Sequence, residues 1–299
     1  MRHTFFLSIV LSMLLSTPWA FAQDAEETVV PEVEVTESAK GDVIVICSIT
    51  GDIEPGIKVV IERAINEARE LNAKAIIFKV DTFGGRVDSA VDITTLIGAA
   101  PCRTIAFIEG RGAISAGAII SYSCDDMIMT PDTNIGASMV VYQTSEGMAP
   151  AEEKSVSLVR AKMRALATAN GHNPDIAEAM VDKDIELRAY TNELGEYTVY
   201  AVATDGSEDA KTKSPKLEPI QEVIDTITED LPIDITITPK GDDVPDNETE
   251  AGTVVYDDGS ELVLARGKLL TLTPSEAIKY GVIEATAVNV DEVVKHFLL

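Results

Sequence analysis

Between residues 42 and 130 the chain alternates apolar, β-branched runs with stretches of helical period, and the joints between them are short. Residues 42–49 read as a strand. Pro55 then opens a helix that carries Ile57, Val60, Ile61, Ala64, Ile65, Ala68 and Leu71 on one face. Residues 73–80 form a second strand, 81–85 a turn, and about 86–97 a second helix. Residues 104–109 form a third strand, Ser115 to about residue 123 a third helix, and 126–130 a fourth strand. Repeated strand–helix–strand units with such joints specify a right-handed parallel α/β sheet. Sheets of this kind carry their sites at the carboxyl ends of the strands. Both Gly84-Gly85 and Ser115 fall at such ends.

The pattern changes further on. Helices are expected at about 151–169 and 174–181. Residues 186–264 then hold short β-like pieces at 197–202, 233–237 and 253–256, with an acidic, Gly/Pro-bearing run at 239–252. From Asp205 to Glu261 there are 17 acidic residues against 4 basic ones, so this stretch holds nearly half of the net charge. The α/β pattern resumes at Leu269, with a helix opening at Pro274 and ending at Gly281 and a last helix near 291–297. The expected organisation is an α/β domain of residues 42–185 plus 265–299, interrupted by an acidic β subdomain at 186–264. Residues 23–41, acidic and without apolar period, read as a flexible leader.

The first 22 residues read as an export signal. Arg2 and His3 form a basic start, residues 5–15 an apolar core, and Ala20-Phe21-Ala22 a small-x-small cleavage site before Gln23. The alternative is an uncleaved membrane anchor, which the shortness of the apolar run disfavours against the ~20 residues a span needs. The expected location is exported, periplasmic or otherwise extracytoplasmic. A formal net charge of −26 leaves no basic surface for a phosphate backbone, which excludes nucleic acid as a partner. Three cysteines, Cys47, Cys102 and Cys124, leave at least one unpaired, and no Cys/His spacing suggests a metal. Cys102 and Cys124 each precede an apolar strand. They are either a disulfide across neighbouring strand ends or small buried thiols.

Gly112-Ala-Ile-Ser-Ala-Gly-Ala118 sets one hydroxyl among small residues where a strand passes into a helix. A serine there can present its oxygen to a substrate, with the first backbone N–H groups of the helix aimed the same way. Those are parts of an acyl-transfer site. A serine needs a base, and histidine is scarce: His3 lies in the signal, His296 at the end of the chain, and His172 in a polar turn, expected to be solvated. Lys154, 39 residues after Ser115 at the start of the long helix, is the next candidate. It reads also as a surface lysine beside Glu152 and Glu153. To act as a base it must be neutral, and bringing an ordinary lysine pKa to 7 needs roughly 4–5 kcal/mol of destabilisation of its charge. Gly84, Gly85 and Ala116 could supply oxyanion-binding N–H groups.

Four segments carry a family resemblance: Asp81-Thr-Phe-Gly-Gly-Arg-Val-Asp88, Glu109-Gly-Arg-Gly-Ala-Ile-Ser-Ala-Gly117, Met129-Thr-Pro-Asp-Thr-Asn-Ile-Gly-Ala137 and Leu270-Thr-Leu-Thr-Pro-Ser-Glu-Ala-Ile-Lys-Tyr-Gly281. The chain resembles the NfeD-type membrane-associated serine proteases of the Clp-protease/crotonase superfold. The resemblance implies a Ser-Lys dyad of nucleophile Ser115 and general base Lys154, with the backbones of Gly85 and Ala116 at the oxyanion positions. It implies no metal or organic cofactor, a preference for hydrophobic peptide segments, a homo-oligomer (dimer or larger) and stomatin-like membrane partners. Two departures stand out. Phe83 replaces the proline that usually precedes the paired glycines. Long members continue into membrane spans and a small β-barrel, whereas this sequence stops at Leu299 and resembles the protease domain alone. Two other functions compete with peptide hydrolysis: a crotonase-type acyl-thioester enzyme, which export disfavours, and a non-catalytic adaptor whose acidic insert binds a partner.

Overall fold

A computed structural model describes residues 32–38, 41–145, 147–191, 197–202, 235–237, 255–256 and 258–297. The expected export signal and the acidic run at 239–252 lie outside the described residues. The chain runs β1 (Val33–Glu37), β2 (Val43–Ile53), α1 (Pro55–Glu70), β3 (Ala75–Arg86), α2 (Val87–Gly98), β4 (Arg103–Ile114) and α3 (Ala116–Ser121). It continues through β5 (Asp126–Met129), β6 (Ile135–Gly136), the β7 (Val141–Thr144) and β8 (Gly147–Pro150) hairpin, α4 (Glu153–Ala169) and α5 (Pro174–Ala179). Then come β9 (Leu187–Thr191), β10 (Tyr197–Ala201), β11 (Ile235–Ile237), β12 (Glu261–Leu264) and β13 (Thr271–Leu272). Helices Pro274–Lys279 and Val290–His296 close the described chain.

β2, β3, β4 and β5 are parallel neighbours, with Val45 opposite Ile76, Ile76 opposite Thr104, and Ile105 opposite Asp126. Alternate residues serve opposite faces. Val45, Ile76, Phe78, Ala106 and Ile108 pack with the apolar sides of α1 and α2. Ile44, Ile77, Ile105 and Phe107 pack with Val293 and Phe297 at the last helix. Because both faces are covered, these strands are apolar at nearly every position instead of every second one. Fully burying each large side chain is worth about 1.5–3 kcal/mol. The Pro274–Lys279 helix starts on a capping box, in which Thr273 and Glu276 each satisfy the other's backbone N–H.

Several expectations need correction. Residues 33–37, expected within a flexible leader, form β1 and pair antiparallel with β2, which has an edge of open N–H and C=O groups to satisfy. Asp81 to Gly85 is not a turn. β3 runs extended to Arg86, and Gly85 is registered opposite Ile53. A Cβ at Gly85 would collide with the Ile53 backbone, so the glycine permits a close approach of strands there. Residues 141–144 and 147–150 form the β7–β8 hairpin. Cys47, Cys102 and Cys124 are all free thiols. Cys124 lies fully buried with its Sγ toward the Ile120 carbonyl, at 3.9 Å, while Cys102 is partly exposed. Burial pushes the Cys47 thiol up to about 12.

Within 186–264, the expected piece at 197–202 becomes β10, which joins β9 and β12, neither of them expected, in a separate antiparallel sheet of order β10-β9-β12. It is tied to α5 by Asn173 Nδ2 donating to Val199 O (2.8 Å) and Ala201 N donating to Asp175 Oδ2 (2.9 Å). β11 behaves differently. It joins the main sheet, between β3 and β7.

Candidate active site

Ser115 follows the last residue of β4 and precedes the first of α3. Its backbone sits at φ 60°, ψ −118°, a combination that an L-residue adopts only under compulsion. The surroundings supply that compulsion. Ser115 N donates to Gly136 O (2.8 Å), while Ser115 O accepts from Ser138 Oγ (3.0 Å), Ala118 N (3.1 Å) and Ile119 N (3.4 Å). The side chain is fully buried, and among the described residues its Oγ has no hydrogen-bond partner. A buried hydroxyl without a partner is costly to stability and calls for an explanation.

The four sequence segments converge on this corner. Thr82, fully buried, accepts from Gly84 N (2.9 Å) and donates to Gly51 O (2.5 Å), fixing the path of the paired glycines. Its Cγ2 lies where a Cβ on Gly117 would fall, at 2.6 Å, so β3 and the start of α3 are in tight contact only because residue 117 is glycine. Asp81 Oδ1 accepts from Arg111 N and Nε, both at 2.8 Å, and holds the stretch that leads into Ser115. The third segment becomes β6, paired with β4 so that Ile114 faces Gly136. The fourth becomes β13, paired with β6, and Leu270 O accepts from Ala137 N at 3.0 Å. Thr82 and Ser138 are positioning residues that were not singled out from the sequence. Their places, two residues before the paired glycines and two after Gly136, are the only sequence signal they give.

Lys154 is the second residue of α4 and is exposed. Ser115 Oγ has no partner, so the Ser115–Lys154 hydrogen bond is not made in this structure. α4 is fixed against α5 by Arg164 Nη1 to Glu178 Oε1 (2.9 Å) and against the segment after α5 by the Arg160–Asp182 ion pair, and Arg160 also reaches Glu153 (3.3 Å). A second lysine on this helix was not foreseen. Lys162 is buried among Val159, Met163 and Leu166, and burial lowers its pKa to about 8. His172, expected to be solvated, instead packs edge-on against the buried Tyr122 ring, at 5.4 Å between centroids. Among the described residues its buried Nε2 has no partner, and burial lowers its pKa against the opposing charge of Asp126.

Residues 43–228 match the family described as NfeD1b, N-terminal domain. The chain belongs to this family. Among curated relatives, it is 31% identical over 156 residues to the membrane protein NfeD1b of Bacillus subtilis, covering 52% of this chain and 35% of that one. It is also 31% identical over 150 residues to the membrane-bound protease PH1510 of Pyrococcus horikoshii, covering 49% and 34%. The chain thus spans about a third of the length of these two relatives. Among solved structures, it resembles a serine-to-alanine mutant of the 1510-N membrane-bound stomatin-specific protease. The TM-score is 0.53 at 23% identity, over 84% of this chain and 82% of that one. It resembles equally, at TM-score 0.53 and 23% identity over 84% and 77%, a lysine-to-alanine mutant of 1510-N in complex with a substrate peptide. These likenesses establish the mixed α/β fold with its mostly parallel sheet for this NfeD1b-type domain.

Proposed function

We propose that this NfeD1b-type domain is a serine endopeptidase. The observation that carries the reading is Ser115 itself: a buried hydroxyl with no hydrogen-bond partner, on a strained corner that its neighbours hold in place. Ser115 Oγ attacks the carbonyl of an extended peptide. The Lys154 amine takes the hydroxyl proton and returns it to the leaving amine. The N–H groups of Gly85 and Ala116 receive the developing oxyanion, each donor worth about 3–4 kcal/mol. Two features favour Lys154 as the base: it lies directly beyond the β7–β8 hairpin, and the related 1510-N protease was studied as separate serine and lysine mutants. In this reading substrate or a second subunit brings Lys154 to Ser115.

The relatives are named as membrane proteins, which supports membrane association and hydrophobic or stomatin-like peptide substrates for this domain. Among the described residues no helix is long and apolar enough to cross a membrane. Hydrolysis of a hydrophobic peptide, followed by mass spectrometry, tests the proposal. Ser115→Ala is expected to lose at least about a thousandfold in kcat. Full activity in that variant ends the serine reading. Loss of less than tenfold in Lys154→Ala keeps the serine and removes Lys154 as its base.

A further inference from the structure

The main sheet is not continuous in sequence where it passes the candidate site. From β3 to β7 the order is β3-β11-β7, and β11 comes from the acidic stretch, more than 80 residues after the hairpin it adjoins. Thr236 is opposite Arg86 on one side and Val141 on the other. Ile237 is opposite Gly85 and Ile235 opposite Tyr142, and both ladders are antiparallel. The carboxyl end of β3 and the hairpin therefore stand two strand spacings apart, roughly 9–10 Å, and bound a slot one strand wide with main-chain partners on both edges.

Gly85 gives this slot its meaning. It is the residue whose N–H is assigned to the oxyanion, and on the side away from β2, where Ile53 is its neighbour, its register partner is Ile237. A peptide whose scissile carbonyl is to lie beside Gly85 must enter the same slot, because one backbone edge cannot be met by two strands from the same side. The segment around β11 suits the role. Ile233-Asp-Ile-Thr-Ile-Thr238 alternates β-branched apolar and polar residues and is bracketed by Pro232 and Pro239, which limit how far such a strand extends. Only three residues pair, which is short for a strand, so its hold rests on being part of the same chain.

We propose that Ile235–Ile237 is an intramolecular occupant of the peptide slot, and that the chain as folded here is self-inhibited. This rests on the reading of Ser115 and Gly85 as peptidase groups. Substrate must displace β11, and the apparent affinity falls by the fraction of chains whose slot is empty. The strand acts by main-chain pairing, so its removal needs only the loss of backbone donors.

The test uses the full chain in two forms. Thr236→Pro removes an N–H from one of the two ladders and disfavours the paired strand; replacement of residues 235–237 by Gly-Ser-Gly weakens both ladders while keeping the length. Each is made with native Ser115 and with Ser115→Ala, and circular dichroism confirms folding. The first readout is binding of a fluorescein-labelled synthetic peptide of residues 232–239 to the Ser115→Ala forms. At least fivefold tighter binding is expected once the internal strand is disabled, corresponding to a slot occupied at least four-fifths of the time. The second readout is kcat/KM for a hydrophobic peptide with native Ser115, expected to rise by the same factor through KM. Equal peptide affinity with and without the internal strand overturns the proposal. Tighter binding with no hydrolysis by any form keeps the slot and its occupant and rejects the peptidase reading instead.

Discussion

Ser138 Oγ donates to the carbonyl oxygen of Ser115 at 3.0 Å, and both side chains are fully buried. The bond links the residue after the left-handed Ala137 to the residue whose own φ is positive, so two uncommon backbone conformations stabilise each other. Ser138→Ala removes this donor, but Ala118 N and Ile119 N still meet the Ser115 carbonyl. The expected cost in stability is about 1 kcal/mol. The expected effect on hydrolysis is larger, about tenfold or more in kcat with KM nearly unchanged, because a loosened corner misplaces Oγ without touching the peptide. Urea unfolding and steady-state kinetics on one preparation separate the two. A raised KM with kcat unchanged would assign Ser138 to substrate binding.

The Ser115 corner has a second consequence. Its hydroxyl is buried without a partner, and its backbone is held at φ 60°. Ser115→Ala deletes an unsatisfied polar group and is expected to raise stability by about 1 kcal/mol while abolishing hydrolysis. Ser115→Gly also relieves the backbone strain, and should be more stable than the alanine variant by about 1 kcal/mol or more. Thermal melts of the three proteins check the order Gly, Ala, Ser. A destabilised Ser115→Gly would mean that the corner is not strained.

Much of this site was legible in the sequence because it is written in residues that turns and close approaches demand. The parallel order β2-β3-β4-β5 follows from apolar runs joined by amphipathic helices, and the corner follows from small residues flanking one serine. What the sequence hid was tertiary. Gly84-Gly85 reads as a turn because paired glycines usually are one. Here they lie in an extended strand pressed against Ile53, which only three-dimensional proximity reveals. Val33 to Glu37 looks unstructured by composition, but an open edge on β2 recruits it. Residues 235–237 show a clear strand pattern, yet nothing local says that their partners are Arg86 and Val141. The hydrogen bonds of Thr82 and Ser138 are equally invisible, since serine and threonine at such places are ordinary surface residues in most chains.

The contact between Thr82 and Gly117 gives a coupled prediction. A Cβ at residue 117 would lie 2.6 Å from Thr82 Cγ2, with its next neighbours, Ala113 Cβ and Val80 Cγ1, at an ordinary 3.7 Å. Gly117→Ala alone should cost about 1–3 kcal/mol through overpacking between β3 and α3. Thr82→Ser removes the offending methyl and keeps the hydroxyl that meets Gly84 N and Gly51 O. In the Thr82→Ser background the alanine should therefore cost less than about 1 kcal/mol. A double-mutant cycle by chemical denaturation measures the coupling. Additive effects would show that the helix start shifts freely, and that the paired glycines are not held by this contact.

Lys162 sets a pH dependence whose sign can be worked out. Burial lowers its pKa from an ordinary 10.5 to about 8, and among the described residues no opposite charge offsets the loss of water. Below about pH 8 folded and unfolded chains both carry the proton, and the folded chain bears the full cost of a buried charge, roughly 3 kcal/mol. Between about pH 8 and 10.5 the folded chain has released its proton while the unfolded chain still holds one, so this group's contribution to stability improves as pH rises. Lys162→Met keeps the length of the side chain among Val159, Met163 and Leu166 and removes the charge. It should be more stable than the native chain by about 2–3 kcal/mol at pH 7, and by less than about 1 kcal/mol at pH 10. Urea midpoints of both proteins at the two pH values isolate this group from every other titration, because only the difference between the proteins is read. A gap that stays constant with pH would mean that Lys162 reaches water in the folded chain and that its burial is not electrostatically costly.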